Sequence, residues 1–165
     1  MINPKIVAEV NKQIEHEQSN AHIYEGVALY FDGLNWKGLG AWFWKQAEEE
    51  RGHGAKLIKH LQERHADVVL GALPAPKVTF ANPLEAVQTV LELEQGTTKL
   101  IERLYEIARA EKDYPLEILL HWFIEEQVEE EDWATELRDE TALFHANPAH
   151  MYQLDHKWAK KLKAE

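Results

Sequence analysis

Phe43-Trp44-Lys45-Gln46-Ala47-Glu48-Glu49-Glu50-Arg51-Gly52-His53-Gly54-Ala55-Lys56-Leu57 is the stretch that decides the fold. Phe43, Ala47, Gly54, Leu57 and the following Leu61 are apolar or small, and with Glu50 they recur at steps of three and four. That spacing keeps one face of an α-helix turned inward. Glu50 therefore falls on the face meant for the core. His53 lies three residues on, so the two side chains sit over one another on the same helix. Glu50-x-x-His53 is the sole Glu-x-x-His among nine histidines.

Three more stretches repeat the pattern. Val10, Ile14, Glu17, Ala21, Tyr24, Ala28 and Phe31 form one stripe, and Val87, Leu91, Glu94, Thr98, Ile101 and Tyr105 another. The last runs through Leu120, Phe123, Gln127, Glu130, Ala134 and Leu137. Each stripe carries a glutamate near its middle. A single glutamate on a helix is usually solvated, and the chain is rich in glutamate. One per helix, all at mid-length, calls for another account. An ionised carboxylate in a dry core costs several kcal/mol or more unless it is compensated. Lysine and arginine are scarce in these stripes. Either the carboxyls are protonated, or cations sit between the helices.

Punctuation outside the stripes fixes the elements. Asn3-Pro4, Asn82-Pro83 and Asn147-Pro148 each pair a capping side chain with a residue that has no N–H to lose in the first turn. The helices are predicted from Pro4 to Asp32, Leu39 to His65, Pro83 to Glu111 and Pro115 to Leu143. A short fifth helix follows Pro148 and ends in Lys160, Lys161 and Lys163, cations suited to its negative end. The connections run short, long, short, the long one from Ala66 to Ala81 through Gly71, Pro74 and Pro76. A long crossover carries the chain from one end of a bundle to the other, so the second and third helices should run parallel. The expectation is one all-α domain over residues 1–165: a four-helix bundle with a long crossover and a short fifth helix.

Composition narrows the partners. The 165 residues carry a net charge of −11, which disfavours nucleic acid and anionic membrane and favours cations. With no cysteine, disulfides and thiolate metal sites are excluded, and any metal must take oxygen and imidazole ligands. Met1-Ile2-Asn3-Pro4-Lys5 lacks the apolar core of a signal peptide, and no apolar run reaches the length of a membrane span. A cytoplasmic protein is expected.

Hard carboxylate oxygens with one imidazole suit iron, increasingly so as it becomes ferric. Glu50 could bridge two irons about 3.5–4 Å apart, as in other two-metal sites. Two ferrous ions held in this way can together reduce oxygen by two electrons. A neutral amide at Gln127 would let the product go.

At this point the chain resembles the bacterial non-haem ferritins, on Glu17, Tyr24, Glu49-Glu50-x-x-His53, Glu94 and Glu126-Gln127-Val128-Glu129-Glu130. The resemblance covers the whole chain and implies a ferritin-like four-helix bundle. It implies Glu17, Glu50 and His53 as ligands of one iron, and Glu50, Glu94 and Glu130 as ligands of a second, with Gln127 nearby. Glu49, Glu126 and Glu129 match an additional iron position on the inner side of the centre. Tyr24 and Trp122 match aromatics that donate electrons, although packing accounts for Trp122 equally well. The activity implied is ferroxidation with oxygen or hydrogen peroxide, and storage of ferric oxyhydroxide in a homo-oligomeric cage of 24 subunits. Glu117 stands where animal members line a threefold entry, whereas the next acidic position is Leu120. Bacterioferritins carry a second Glu-x-x-His and a haem-ligating methionine. Here Gln127-x-x-Glu130 takes that place and the methionines are Met1 and Met151, so no haem is expected.

Other readings stay open on the residues alone. One is a di-iron oxidase or peroxidase that stores nothing, and another is a structural bundle with neutral or calcium- or zinc-bound glutamates. Trp36, Trp42 and Trp44 suit either a subunit interface or the core. His145, His150 and His156 suit solvation better than metal.

Overall fold

The computed structural model describes residues 2–163. Among the described residues there are five helices and no strand: α1 (Pro4–Gly33), α2 (Lys37–Glu63), α3 (Pro83–Ala110), α4 (Tyr114–Phe144) and α5 (Pro148–Lys161). The three Asn-Pro pairs cap as expected. Asn3 accepts from the Lys5 N–H, Asn82 from Glu85, and Asn147 from Ala149 and His150. Asp113 does the same for α4, accepting from Leu116.

The helix ends use a device without glycine. Asn35, His65 and Lys112 take left-handed φ of 65°, 55° and 57°. The N–H of the next residue then turns back to a carbonyl five residues earlier: Trp36 to Phe31 (2.9 Å), Ala66 to Leu61 (2.9 Å) and Asp113 to Ala108 (2.8 Å). These are the backbone bonds of a Schellman ending.

Helices α1 and α2 pack as one antiparallel pair and α3 and α4 as the other. The crossover between α2 and α3 lies along α1. Asn11 holds its start, donating to the Asp67 carbonyl (3.0 Å) and accepting from the Val69 N–H (2.7 Å). Further on, Phe80 meets Tyr30 edge to face. The crossover thus runs the length of the bundle, and α2 and α3 are parallel.

The core divides into two apolar clusters. One holds Tyr24, Phe31, Phe43, Val87 and Leu137 with the buried face of α5; the other holds Ile6, Ile14, Leu57, Ile101 and Phe123. Between them lies a polar layer containing Glu17, Asn20, Glu50, His53, Glu94, Thr97, Gln127 and Glu130, all buried. Three predicted stripes are buried throughout. On α3 the inward face passes instead through Thr97, Leu104 and Ala108, and Thr98 and Tyr105 are half-buried.

The predicted start of α2 is corrected. The helix begins at Lys37, so Gly38 belongs to its first turn and not to a loop. A Cβ on Gly38 would stand 2.1 Å from the Asp155 carbonyl oxygen, because α5 crosses there. No side chain from Trp36 caps this end. Asp155 of α5 serves instead, accepting from the Leu39 N–H at 2.8 Å. An anion is favourable at a helix N-terminus. The tryptophans divide: Trp42 is buried, Trp36 is half-buried, and Trp44 is exposed with its indole donating to Asp32.

Gly38→Ala should therefore cost about 1–3 kcal/mol through overpacking, and should loosen α5. Gly52, in the middle of α2, has nothing within 4 Å of where a Cβ would lie. Gly52→Ala should add about 0.5–1 kcal/mol. Thermal unfolding with limited proteolysis at α5 checks both; equal effects would mean that α5 does not press on Gly38.

Candidate metal centre

Each side chain of the polar layer comes from the middle of a helix, where packing on both sides fixes the backbone. From α1 and α2 come Glu17, Glu50 and His53. His53 Nδ1 lies 3.6 Å from Glu50 Oε2 and 3.9 Å from Glu17 Oε2. From α4, Glu126 Oε1 lies 3.8 Å from His53 Nε2. Two groups of ligand atoms result, each within 4.8 Å: Glu17, Glu50 and His53, and His53, Glu126 and Glu130. Donors that share one transition metal at bonds of about 2.0–2.2 Å stand about 3–4 Å apart, so both groups suit a metal ion.

Four donors orient three of the carboxylates. Gln13 donates to Glu17 Oε1 (2.7 Å), and the Tyr24 hydroxyl donates to Glu94. Gln127 Nε2 donates to Glu94 Oε2 (3.2 Å) and Trp133 Nε1 to Glu130 Oε2 (2.7 Å). Glu17 Oε2 and Glu50 Oε2 are buried and accept no hydrogen bond from any described residue. Such atoms normally have partners, so the pair points to an absent cation or proton.

Electrostatics agrees. Burial, then the charge of Glu50, raises the Glu17 carboxyl far above its ordinary range. Burial and the charge of Glu94 do the same to Glu50 and Glu130. Burial lifts Glu94 to about 7, against hydrogen bonds from Tyr24 and Gln127 that pull it down. The Tyr24 phenol is raised as well, by burial and by Glu94, and stays protonated as a donor. Like charges crowded together in a dry layer account for all of this.

The chain matches the ferritin-like domain family over residues 7–144. It belongs to the ferritin family. Among curated proteins it is 39% identical over 131 residues to the bacterial non-heme ferritin of Staphylococcus aureus, covering 79% of each chain. The Staphylococcus haemolyticus protein of the same name is 37% identical over 131 residues. Among solved structures, the open pore ferritin of the archaeon Archaeoglobus fulgidus superimposes with a TM-score of 0.93 at 34% identity, over 96% of both chains. Iron storage is the function of this family, and the carboxylate–histidine layer is compatible with a di-iron site.

The remaining expected residues fall around this layer. Trp122 is half-buried, its ring 5.4 Å from that of His53, with the Lys56 ammonium 4.0 Å above it. Glu49 lies outside the two tight groups, held by Gln46 (2.7 Å) and Lys45 (3.1 Å). Glu129 is exposed. Glu117 is half-buried, whereas Leu120 is wholly buried in the core. His145, His150 and His156 form no tight group among the described residues.

Gln13, Asn20 and Trp133 escaped the sequence reading. Asn20 is buried and donates to Thr97 Oγ1 at 3.1 Å. Gln13 stands one helical turn before Glu17, and Trp133 three residues after Glu130. A search for donors at i±3 and i±4 of each core glutamate would have found both.

The raised carboxyls set a pH dependence. A folded-state pKa above the unfolded one gives stability below the unfolded value, which is lost as pH rises through the folded one. For Glu94 the window runs from 4.5 to about 7 and accounts for roughly 3 kcal/mol. The metal-free protein should unfold at lower temperature near pH 8 than near pH 5, and Glu94→Gln should flatten that trend. A metal-free protein equally stable at both pH values would show that these carboxyls are solvated.

Proposed function

We propose that this ferritin is a ferroxidase whose mid-bundle centre oxidises Fe(II) before storing it as ferric oxyhydroxide. One observation carries the reading. Two buried carboxylate oxygens without hydrogen-bond partners among the described residues face one imidazole, in a layer where four carboxyls are driven toward the neutral form. Positive charge resolves that strain.

Glu17, Glu50 and His53 would hold one ferrous ion. Glu50, Glu94 and Glu130 would hold the other, with Gln127 as a weak neutral neighbour. Binding releases the protons on these carboxyls, because metal ligands must be deprotonated. Two ferrous ions supply two electrons. With two protons, these convert O2 to H2O2, or H2O2 to two molecules of water, leaving two ferric ions. Tyr24, donating to Glu94, holds that carboxylate in place and is near enough to supply an electron. Trp122 lies beside His53 in the same capacity. Glu126, Glu49 and Glu129 would form the additional iron position on the α2/α4 face, Glu126 being already within reach of His53. A site with a single imidazole and an amide binds its ferric product weakly, which suits release into storage.

The family supports assembly as well as chemistry. We read the chain as one of 24 copies in a hollow cytoplasmic cage. Consistent with a water-filled setting, no helix among the described residues is long and apolar enough to cross a membrane.

The test is Fe(II) oxidation in air followed by size separation. Ferric mineral should travel with a particle far larger than the 19.1 kDa chain. The double variant Glu50→Ala, His53→Ala should oxidise iron no faster than buffer, yet fold as well as or better than the wild type, because an uncompensated buried charge is gone. Glu130→Ala should slow oxidation more than Glu129→Ala, since Glu130 alone of the two is buried. A double variant with the wild-type rate would sink the ligand assignment.

A further inference from the structure

We propose that Asn20, fixed by Thr97 and His16, is the residue that receives the oxidant, and that it selects hydrogen peroxide over dioxygen. The proposal rests on the ferroxidase reading above and names its oxidant.

Asn20 stands on α1 three residues after Glu17, so the two side chains enter the same layer. It is wholly buried. Its Nδ2 donates to Thr97 Oγ1 on α3 at 3.1 Å. The Thr97 hydroxyl gives its one proton to the Leu93 carbonyl at 3.0 Å, so toward any other partner its oxygen only accepts. His16 Nε2 lies 2.9 Å from the same oxygen and therefore donates there as well. Two donors and one acceptor saturate the Thr97 hydroxyl. The orientation of the Asn20 amide follows, its nitrogen toward Thr97 and its oxygen turned away. Asn20 also stands against the proposed bridging ligand. Burial above all raises the Glu50 carboxyl, and the Asn20 amide is among the groups that pull it back.

One atom of this arrangement is left over. Asn20 Oδ1 is buried and accepts no hydrogen bond from any described residue. A buried acceptor normally has a donor. Glu17 Oε2 and Glu50 Oε2 share its condition, but they belong to ionisable groups, and a cation answers their charge. The Asn20 oxygen is neutral and fixed, and it calls for an O–H or N–H group. Hydrogen peroxide carries two O–H groups and dioxygen carries none. Peroxide can therefore donate to Asn20 while its other oxygen faces the metal ligands. Dioxygen in the same place leaves the acceptor dry. A site built to hydrogen-bond a hydroxyl discriminates against an analogue that lacks it.

The same residues give the oxidant a way in. His16 lines a groove of about 410 Å³ between α1 and α3, together with Gln13, Lys12 and Arg103. From that groove His16, Thr97 and Asn20 lead hand to hand into the layer. Glu49 and Glu126 stand on α2 and α4 instead, so oxidant and ferrous ion need not share an entrance. At the centre the O–O bond of peroxide breaks. Two ferrous ions give one electron each, and two protons complete two molecules of water.

The experiment compares oxidants. The assembled protein, loaded without air with two Fe(II) per subunit, is mixed in a stopped-flow cell with hydrogen peroxide or with dioxygen at matched concentrations. The readout is the ratio of the two rates of Fe(III) formation. Asn20→Leu keeps the volume and removes the acceptor. It should lower the ratio about fivefold, mainly by raising the half-saturating concentration of peroxide. Thr97→Val leaves Asn20 in place but frees its amide to turn, and should lower the ratio by a smaller factor. A purely structural role for Asn20, or an oxygen that serves only a water molecule, slows both reactions alike. An unchanged ratio in Asn20→Leu, or in Thr97→Val should Asn20→Leu not fold, would therefore overturn the proposal and leave the ferroxidase reading standing. A wild type that oxidises iron with neither oxidant would instead overturn the reading beneath it.

Discussion

Four carboxylates share one dry layer, and the rest of the molecule is arranged around that conflict. Glu17, Glu50, Glu94 and Glu130 are each at most 4% exposed. Burial disfavours their charged forms and each charge disfavours the next. Left alone, such a layer would separate or fill with water. It stays closed because an apolar cluster sits on either side of it, and both clusters span all four long helices. The hydrophobic effect acts at the two ends of the bundle and holds the acidic middle in place. Stability and ionisation are thus opposed within one structure, and a bound cation would reconcile them.

The supporting elements follow from the same need for a rigid backbone. The crossover is tied to α1 near both ends, through Asn11 and through Tyr30. Helix α5 closes the end of the bundle, inserting Met151, Leu154 and Trp158 and lending Asp155 to the start of α2. Lys157 and Lys161 bind it to Glu136 on α4 at 2.7 and 2.9 Å. These surface ion pairs contribute little by themselves. The larger share of the docking comes from the buried tryptophan.

Much of this was legible in the sequence, for physical reasons. Asn-Pro marks a helix start because both residues act locally, and all three pairs did. Steps of three and four placed the core glutamates because every helix is long enough for its inner face to be unambiguous. The one stripe that slipped, on α3, did so at Thr97-Thr98, where two like residues offer no apolar contrast. The helix ends were harder, since Asn35, His65 and Lys112 take the left-handed turn usually given to glycine. The start of α2, predicted at Leu39, came out too late for the opposite reason: Gly38 answers to close contact with α5, more than a hundred residues away, and not to the end of the helix. Which carboxylate oxygens would lack partners could not be read at all, because that depends on the rotamers of Gln13, Tyr24, Gln127 and Trp133 together.

Those four donors also make the two sides of the centre unequal. On the α3 and α4 side, Glu94 and Glu130 already accept hydrogen bonds from Tyr24, Gln127 and Trp133. A metal ion there competes with neutral donors that regain their partners when it leaves. On the α1 and α2 side, Glu17 and Glu50 each keep an oxygen that accepts nothing from the described residues, facing His53. A cation there displaces no protein bond, and its departure restores none. Unequal holding of a cation on the two sides would follow from where the amide and the indole point. In a protein that stores iron, such a difference would let the acidic layer hold an ion and still exchange it.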